Sequence, residues 1–114
     1  MHKYALVFAM KQLLLLSLLL PLTAFAADAD FTLTIKDHHF QPSEFAIPSG
    51  KKVKLLMENQ DATPEEFDSY ELNREKVIAG NSSAVIFIGP LTPGRYSFAG
   101  EFHAATAQGA IVAK

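Results

Sequence analysis

Short segments with the period of a strand, spaced by Pro/Gly turns, recur along this chain, and no long amphipathic helix stands among them. Phe31-Thr32-Leu33-Thr34-Ile35 alternates apolar and polar residues, as a half-buried strand does. Lys52 to Glu58 alternates again, placing Val53, Leu55 and Met57 on one face and Leu56 on the other. Glu44 to Ile47, Ala84 to Ile88, Arg95 to Phe98 and Gly109 to Ala113 read as further short strands. Gln41-Pro42-Ser43, Pro48-Ser49-Gly50, Gly80-Asn81-Ser82-Ser83, Gly89-Pro90 and Thr92-Pro93-Gly94 are turns, because Pro presets φ and Gly accepts a positive one. Asn59 to Ile78 is less regular: Pro64 interrupts it, and it reads as a short strand or helical turn plus a charged loop. The expectation is all-β, a Greek-key β-sandwich of about seven strands in one domain.

The N-terminal segment stands apart. Lys3 and Lys11 precede or flank an apolar run, Leu13 to Leu20, broken only by Ser17, and Ala24-Phe25-Ala26 follows Pro21. Basic start, short apolar core and small residues at the exit describe a cleavable export signal over 1–26. A retained membrane anchor is the rival reading, for which the apolar run is short. The expectation is therefore a periplasmic domain over 27–114, with no membrane span after signal cleavage. Both lysines of the segment are lost on cleavage and none of the twelve acids is, so the formal net charge moves from −2 to −4. No clustered positive charge remains, so no nucleic acid is expected as a partner.

The chain contains no cysteine. Disulfides, thiolate nucleophiles and thiolate metal sites are excluded with it, so an exported domain must be held by its core alone. There is also no Gly-x-Ser-x-Gly elbow, no phosphate-binding glycine loop and no His-Glu-x-x-His helix.

A strand near the start, then Pro48-Ser49-Gly50-Lys51-Lys52, an alternating strand ending in Asn59, a loop with Pro64, and Thr92-Pro93-Gly94-Arg95-Tyr96-Ser97-Phe98 before His103 and Gly109 together form a pattern. Across essentially the whole of 27–114 it resembles the cupredoxins. The resemblance implies a cupredoxin-like fold and a metal site built from a residue after the loop proline and from one C-terminal loop. Where the family has its first histidine this chain has Glu65, followed by Glu66. Its cysteine position is Gly100, His103 is kept, and Gln108 falls near the axial methionine position. No type 1 blue copper is expected without the thiolate, although a glutamine amide oxygen serves as a weak axial ligand elsewhere. Ala62 to Ser69, Leu72 to Lys76 and Gly100 to His103 look like a cysteine-less subgroup of this family associated with bacterial periplasmic iron uptake. That resemblance implies copper or iron as cofactor, an inner-membrane iron permease or another uptake component as partner, and oxidation of Fe(II) of the ferroxidase type, or metal delivery to the permease.

The residues themselves allow that chemistry and also plainer roles. Glu65, Glu66, Glu101 and His103, with Gln108 and less directly Asp68 and His39, are the candidate metal ligands. Exchanging sulfur for carboxylate turns a soft site into a hard one, suited to iron, Cu(II) or Mn(II). Yet neighbours on a strand point to opposite faces, so one of Glu65 and Glu66 belongs to a site, or both form a solvated acidic edge. His103 is a ligand or a half-buried, hydrogen-bonded imidazole. His38 and His39 form a tempting pair that a strand would splay apart. Tyr70 and Tyr96 serve packing or relay an electron, with packing the expectation; Arg74-Glu75-Lys76 is a solvated loop or pairs with the acids; Phe40 and Phe45 belong to the core. A metal-free binding module that docks a periplasmic or membrane partner is the alternative to metal binding.

Overall fold

The computed structural model describes residues 28–114, so the segment expected to be an export signal lies outside the described residues. Nine strands follow one another: β1 (Phe31–Lys36), β2 (His39–Gln41), β3 (Glu44–Ile47), β4 (Val53–Asn59), β5 (Glu65–Ser69), β6 (Arg74–Ile78), β7 (Ser83–Ile88), β8 (Gly94–Ala99) and β9 (Gln108–Ala113). A single 3-10 turn, Glu101–His103, interrupts the connection from β8 to β9. The strands form two sheets, ordered β2-β1-β4-β7 and β3-β9-β8-β5-β6. β1 runs parallel to β4 and β3 parallel to β9, while the remaining pairs are antiparallel. The sandwich agrees with the sequence reading; nine strands replace about seven because β2 pairs with β1 and because 65–78 is a hairpin.

The alternation explains the core. Leu33, Ile35, Val53, Leu55 and Met57 from the first sheet are fully or almost fully buried, and they share the interior with Phe67, Ile78, Phe98 and Ile111 of the second. Burying each such side chain contributes about 1.5–3 kcal/mol. Phe98 is central: Phe40 meets it edge-on at 4.9 Å and Phe67 stacks on it at 4.8 Å. Phe45 is only partly buried, against the same cluster. Tyr96 packs on the core and its hydroxyl donates to the Thr92 carbonyl at 2.9 Å. Tyr70, for which packing was the expectation, is instead 99% exposed, because it sits at the tip of the β5–β6 turn.

Three connections meet at one end of the sandwich: the β1–β2 turn, the entry to β5, and the loop from Gly100 to Ala107. Thr106 Oγ1 joins two of them by donating to the His38 carbonyl at 2.6 Å. Among the described residues no helix is long and apolar enough to cross a membrane.

Candidate metal centre

The β1–β2 hairpin closes in two residues, since Lys36 pairs directly with His39. Both intervening residues have positive φ, 51° at Asp37 and 62° at His38. Two such residues are what the tightest hairpins require, but the usual sequence for them is Asn-Gly or Asp-Gly. A left-handed backbone costs a residue with a Cβ on the order of 1 kcal/mol. Asp61 offsets this cost by accepting both turn amides, from Asp37 at 2.7 Å and from His38 at 3.1 Å. Burial tends to raise the Asp61 pKa, but the amide of His38, then that of Asp37, with smaller help from the His38 ring and the Glu65 side chain, hold it below the ordinary aspartate value. Asp61 is placed in turn by Asn59, whose Oδ1 accepts the Asp61 amide at 2.9 Å. The Asn59 side-chain amide donates to the carbonyls of Thr63, Ile78 and Ala79, so the buried Asn59 fixes the whole β4–β5 loop.

This scaffold turns the His38 ring toward Glu65 and His103. His38 Nδ1 donates to Glu65 Oε1 at 2.7 Å. His103 Nδ1 lies 3.0 Å from the same oxygen, without hydrogen-bond alignment, and is buried with no partner. The two imidazoles stack with centroids 3.5 Å apart and an interplanar angle of 15°. One ligand atom from each of His38, Glu65 and His103 therefore lies within 4.8 Å of the other two. Glu65 is 1% exposed, against 41% and 32% for the two histidine side chains, so the group is closed behind the carboxylate and open on the imidazole side. A carboxylate so deeply buried is costly unless it is paired, and His38 supplies its one aligned imidazole contact.

The remaining candidates fall elsewhere. Glu66 is also buried, 3% exposed, but points to the opposite face of β5. There it gathers with Asp68 and Glu101, one carboxylate oxygen from each lying within 4.8 Å of the others. Burial first, then the charges of Glu101, Asp68 and Glu75, push the Glu66 pKa above the ordinary glutamate value. Glu101 is raised too, by its hydrogen bond with Asp68 first and by the charges of Asp68 and Glu75. Gln108 is exposed and donates to the Ala104 carbonyl at 2.8 Å, and His39 is exposed with Nδ1 donating to the Asp37 carbonyl at 2.7 Å; neither joins a group. Arg74 donates to the Phe87 and Asn73 carbonyls and to no acid. His38 and Asp61 are the residues that sequence reasoning underrated. The only signal for them was an Asp-His dipeptide between two apolar runs, a weak hairpin cue.

Gly100, at the position where the resemblance puts a cysteine, packs tightly. A Cβ there would lie 2.8 Å from the Glu66 carbonyl oxygen and 3.1 Å from the Ala107 methyl.

The cupredoxin-like domain family model matches residues 7–113. An uncharacterized protein of Rickettsia prowazekii (strain Madrid E) is 45% identical over 80 residues, 70% of this chain, and the match spans 64% of that relative's length. Similar solved structures include auracyanin A, a "blue" copper protein from Chloroflexus aurantiacus, with a TM-score of 0.63 and 12% identity over 73% of this chain and 96% of that one. Amicyanin from Paracoccus versutus aligns with a TM-score of 0.60 and 16% identity, covering 77% of this chain and 83% of its own. The metal-binding domain of the Cu(I)-exporting P-type ATPase of Streptococcus pneumoniae D39, solved with Cu(I), gives 0.61 at 14% identity, covering 73% and 82%. At such identities these structures speak for the fold alone, and with the family match spanning nearly all of the described residues, the chain belongs to the cupredoxin-like domain family.

Proposed function

We propose that this protein is an exported metal-binding domain that holds a Cu(II) or iron ion on His38, His103 and Glu65 and hands metal on in iron uptake. The observation that carries the reading is the unpartnered Nδ1 of His103, buried 3.0 Å from Glu65 Oε1 and beside the His38 Nδ1 that bonds the same oxygen. Two imidazoles and one carboxylate suit Cu(II), iron or zinc, and they do not fit the thiolate-dependent blue copper centre for which this chain has no cysteine. Bound there, copper or iron would supply one-electron redox chemistry or a cargo for transfer.

The chain's own residues determine what such a site does. Glu65 supplies a negative oxygen from the interior, which favours Fe(III) over Fe(II) because the higher charge gains more from it. His38 and His103 face solvent with their remaining ring atoms, leaving access for a partner's ligand or for a reactant. Asp61 and Thr106 keep the His38 backbone fixed and so keep its ring over Glu65. Iron uptake, an inner-membrane iron permease as partner and Fe(II) oxidation come from the resemblance to the cysteine-less subgroup. Periplasmic location comes from the export-signal reading of 1–26, and a mature N-terminus at Ala27 is the mass-spectrometric result expected for it.

The test is calorimetric titration of the purified protein with Cu(II), Zn(II) and, under nitrogen, Fe(II). One ion should bind at the imidazole site, and His38→Ala and His103→Ala should each weaken that binding by ~10-fold or more. Loss of Fe(II) in air, faster with the protein than with His103→Ala, would extend the reading to oxidation. Unchanged binding of all three ions in both variants would overturn this site, and no binding of any of them would leave a metal-free docking module.

A further inference from the structure

The consecutive residues Glu65 and Glu66 are both buried, and they face opposite sides of β5. The 3-10 turn repeats this division, with His103 joining Glu65 and Glu101 joining Glu66. Two donor groups of different chemistry therefore lie back to back. The second, Glu66, Asp68 and Glu101, contains only oxygen. Its inner member, Glu66, is 3% exposed and its Oε1 is buried without a hydrogen-bond partner. Glu75 stands directly across from Asp68 in the β5–β6 ladder, so a fourth acid faces the same group. Like charges directly opposite destabilise a strand pair. Among the described residues no lysine, arginine or histidine forms an ion pair with any of these four acids. Arg74, beside Glu75, is held by backbone carbonyls.

We propose that Glu66, Asp68 and Glu101 form a second cation site, separate from the imidazole site, that takes a hard divalent or trivalent ion. Oxygen-only donors select ions of the Ca(II) and Mn(II) class, trivalent ions included, and give thiophilic Cu(I) nothing to bind. Asp68 and Glu66 come from alternate positions of one strand and Glu101 from the turn that covers it, so an ion there would tie the turn to β5. Glu101 is exposed, which leaves an open side for water ligands or a partner.

Mn(II) electron paramagnetic resonance and Tb(III) luminescence on the purified full chain test this directly. Wild type and His103→Ala should bind one ion alike, whereas Glu101→Gln and Asp68→Asn should each weaken Mn(II) and Tb(III) by ~10-fold or more and leave Cu(II) binding unchanged. Circular dichroism of the two acid variants checks that they fold, and Asp28→Asn, an exposed acid that pairs with Lys54 of the other sheet, is the control. Equal Mn(II) and Tb(III) affinity in wild type, Glu101→Gln and Asp68→Asn overturns the second site. Loss of Cu(II) together with Mn(II) in the acid variants also overturns it, since that result means one shared site. The Cu(II) response of His103→Ala reads the first site independently, so either proposal fails without the other.

Discussion

The imidazole rings of His38 and His103 lie parallel, 3.5 Å apart, each with Nδ1 toward the same oxygen of Glu65. A ring nitrogen's lone pair lies in the ring plane, so parallel rings aim their lone pairs side by side. Sharing one ion requires the rings to tilt toward each other. The expected outcome in Cu(II)- or Zn(II)-loaded protein is an interplanar angle well above 15°, read from a structure of the loaded form. Rings that stay parallel with an ion bound elsewhere would show that the stack is packing and nothing more.

Asp61 connects stability to that geometry. Its pKa is lowered in the folded state, so its contribution is fully present above the unfolded value of 3.8 and is lost as pH falls through the folded value. Asp61→Asn should remove that acid-sensitive component and cost about 1.5–3 kcal/mol at neutral pH, the usual worth of hydrogen bonds to a charged group. Urea unfolding of both proteins at pH 7 and at pH 3 measures it. The gap between them should narrow at the lower pH; a constant gap would mean that the Asp61 charge plays no part in holding the turn.

The acidic group carries the opposite sign. Glu66 and Glu101 have raised pKa values, so the folded protein takes up protons more readily than the unfolded chain there. Their ionisation works against folding, and the penalty grows as pH rises through and above the ordinary value of 4.5. Glu101→Gln should therefore raise the melting temperature of the metal-free protein at pH 7, an uncommon direction for a point substitution. Added Mn(II) should stabilise wild type more than the variant. A variant that melts earlier than wild type without metal would contradict the repulsion.

The strands β1 and β4, read from period-two alternation, and β3, β7, β8 and β9, read as short apolar runs between Pro/Gly turns, stand where the sequence put them. β5 and β6 were illegible for a physical reason. Glu65, Glu66 and Asp68 look like a charged loop, and the contact that pairs the buried Glu65 comes from His38, far away in sequence. The candidate list reached Glu65 and His103, which the loop after Pro64 and the C-terminal loop bring together. It ranked His39 over His38 because strand geometry says nothing about a two-residue turn with both φ positive. The expectation that the pleat lets only one of Glu65 and Glu66 join a site with His103 agrees with the two faces of β5, whereas Glu101 falls with Glu66 and not with His103.

Gly100 tests how far the cysteine-less site has diverged from the pattern the chain resembles. Its φ of −107° suits any residue, so the obstacle to a cysteine is space and not backbone strain. A Cβ would sit 2.8 Å from the Glu66 carbonyl oxygen, a backbone atom that no side-chain rotation can move, and 3.1 Å from the Ala107 methyl. The Gly100 amide donates to the Ala107 carbonyl at 2.9 Å, so opening the loop to relieve the clash would strain the bond that closes it. Gly100→Cys should therefore destabilise the protein by about 1–3 kcal/mol, the usual cost of overpacking. Loaded with Cu(II), the variant should show no intense visible copper–thiolate absorption. A blue protein with an unchanged melting temperature would mean that the loop accommodates a thiolate freely, and that carboxylate–imidazole ligation is one substitution away from the blue centre instead of built into the packing around Gly100.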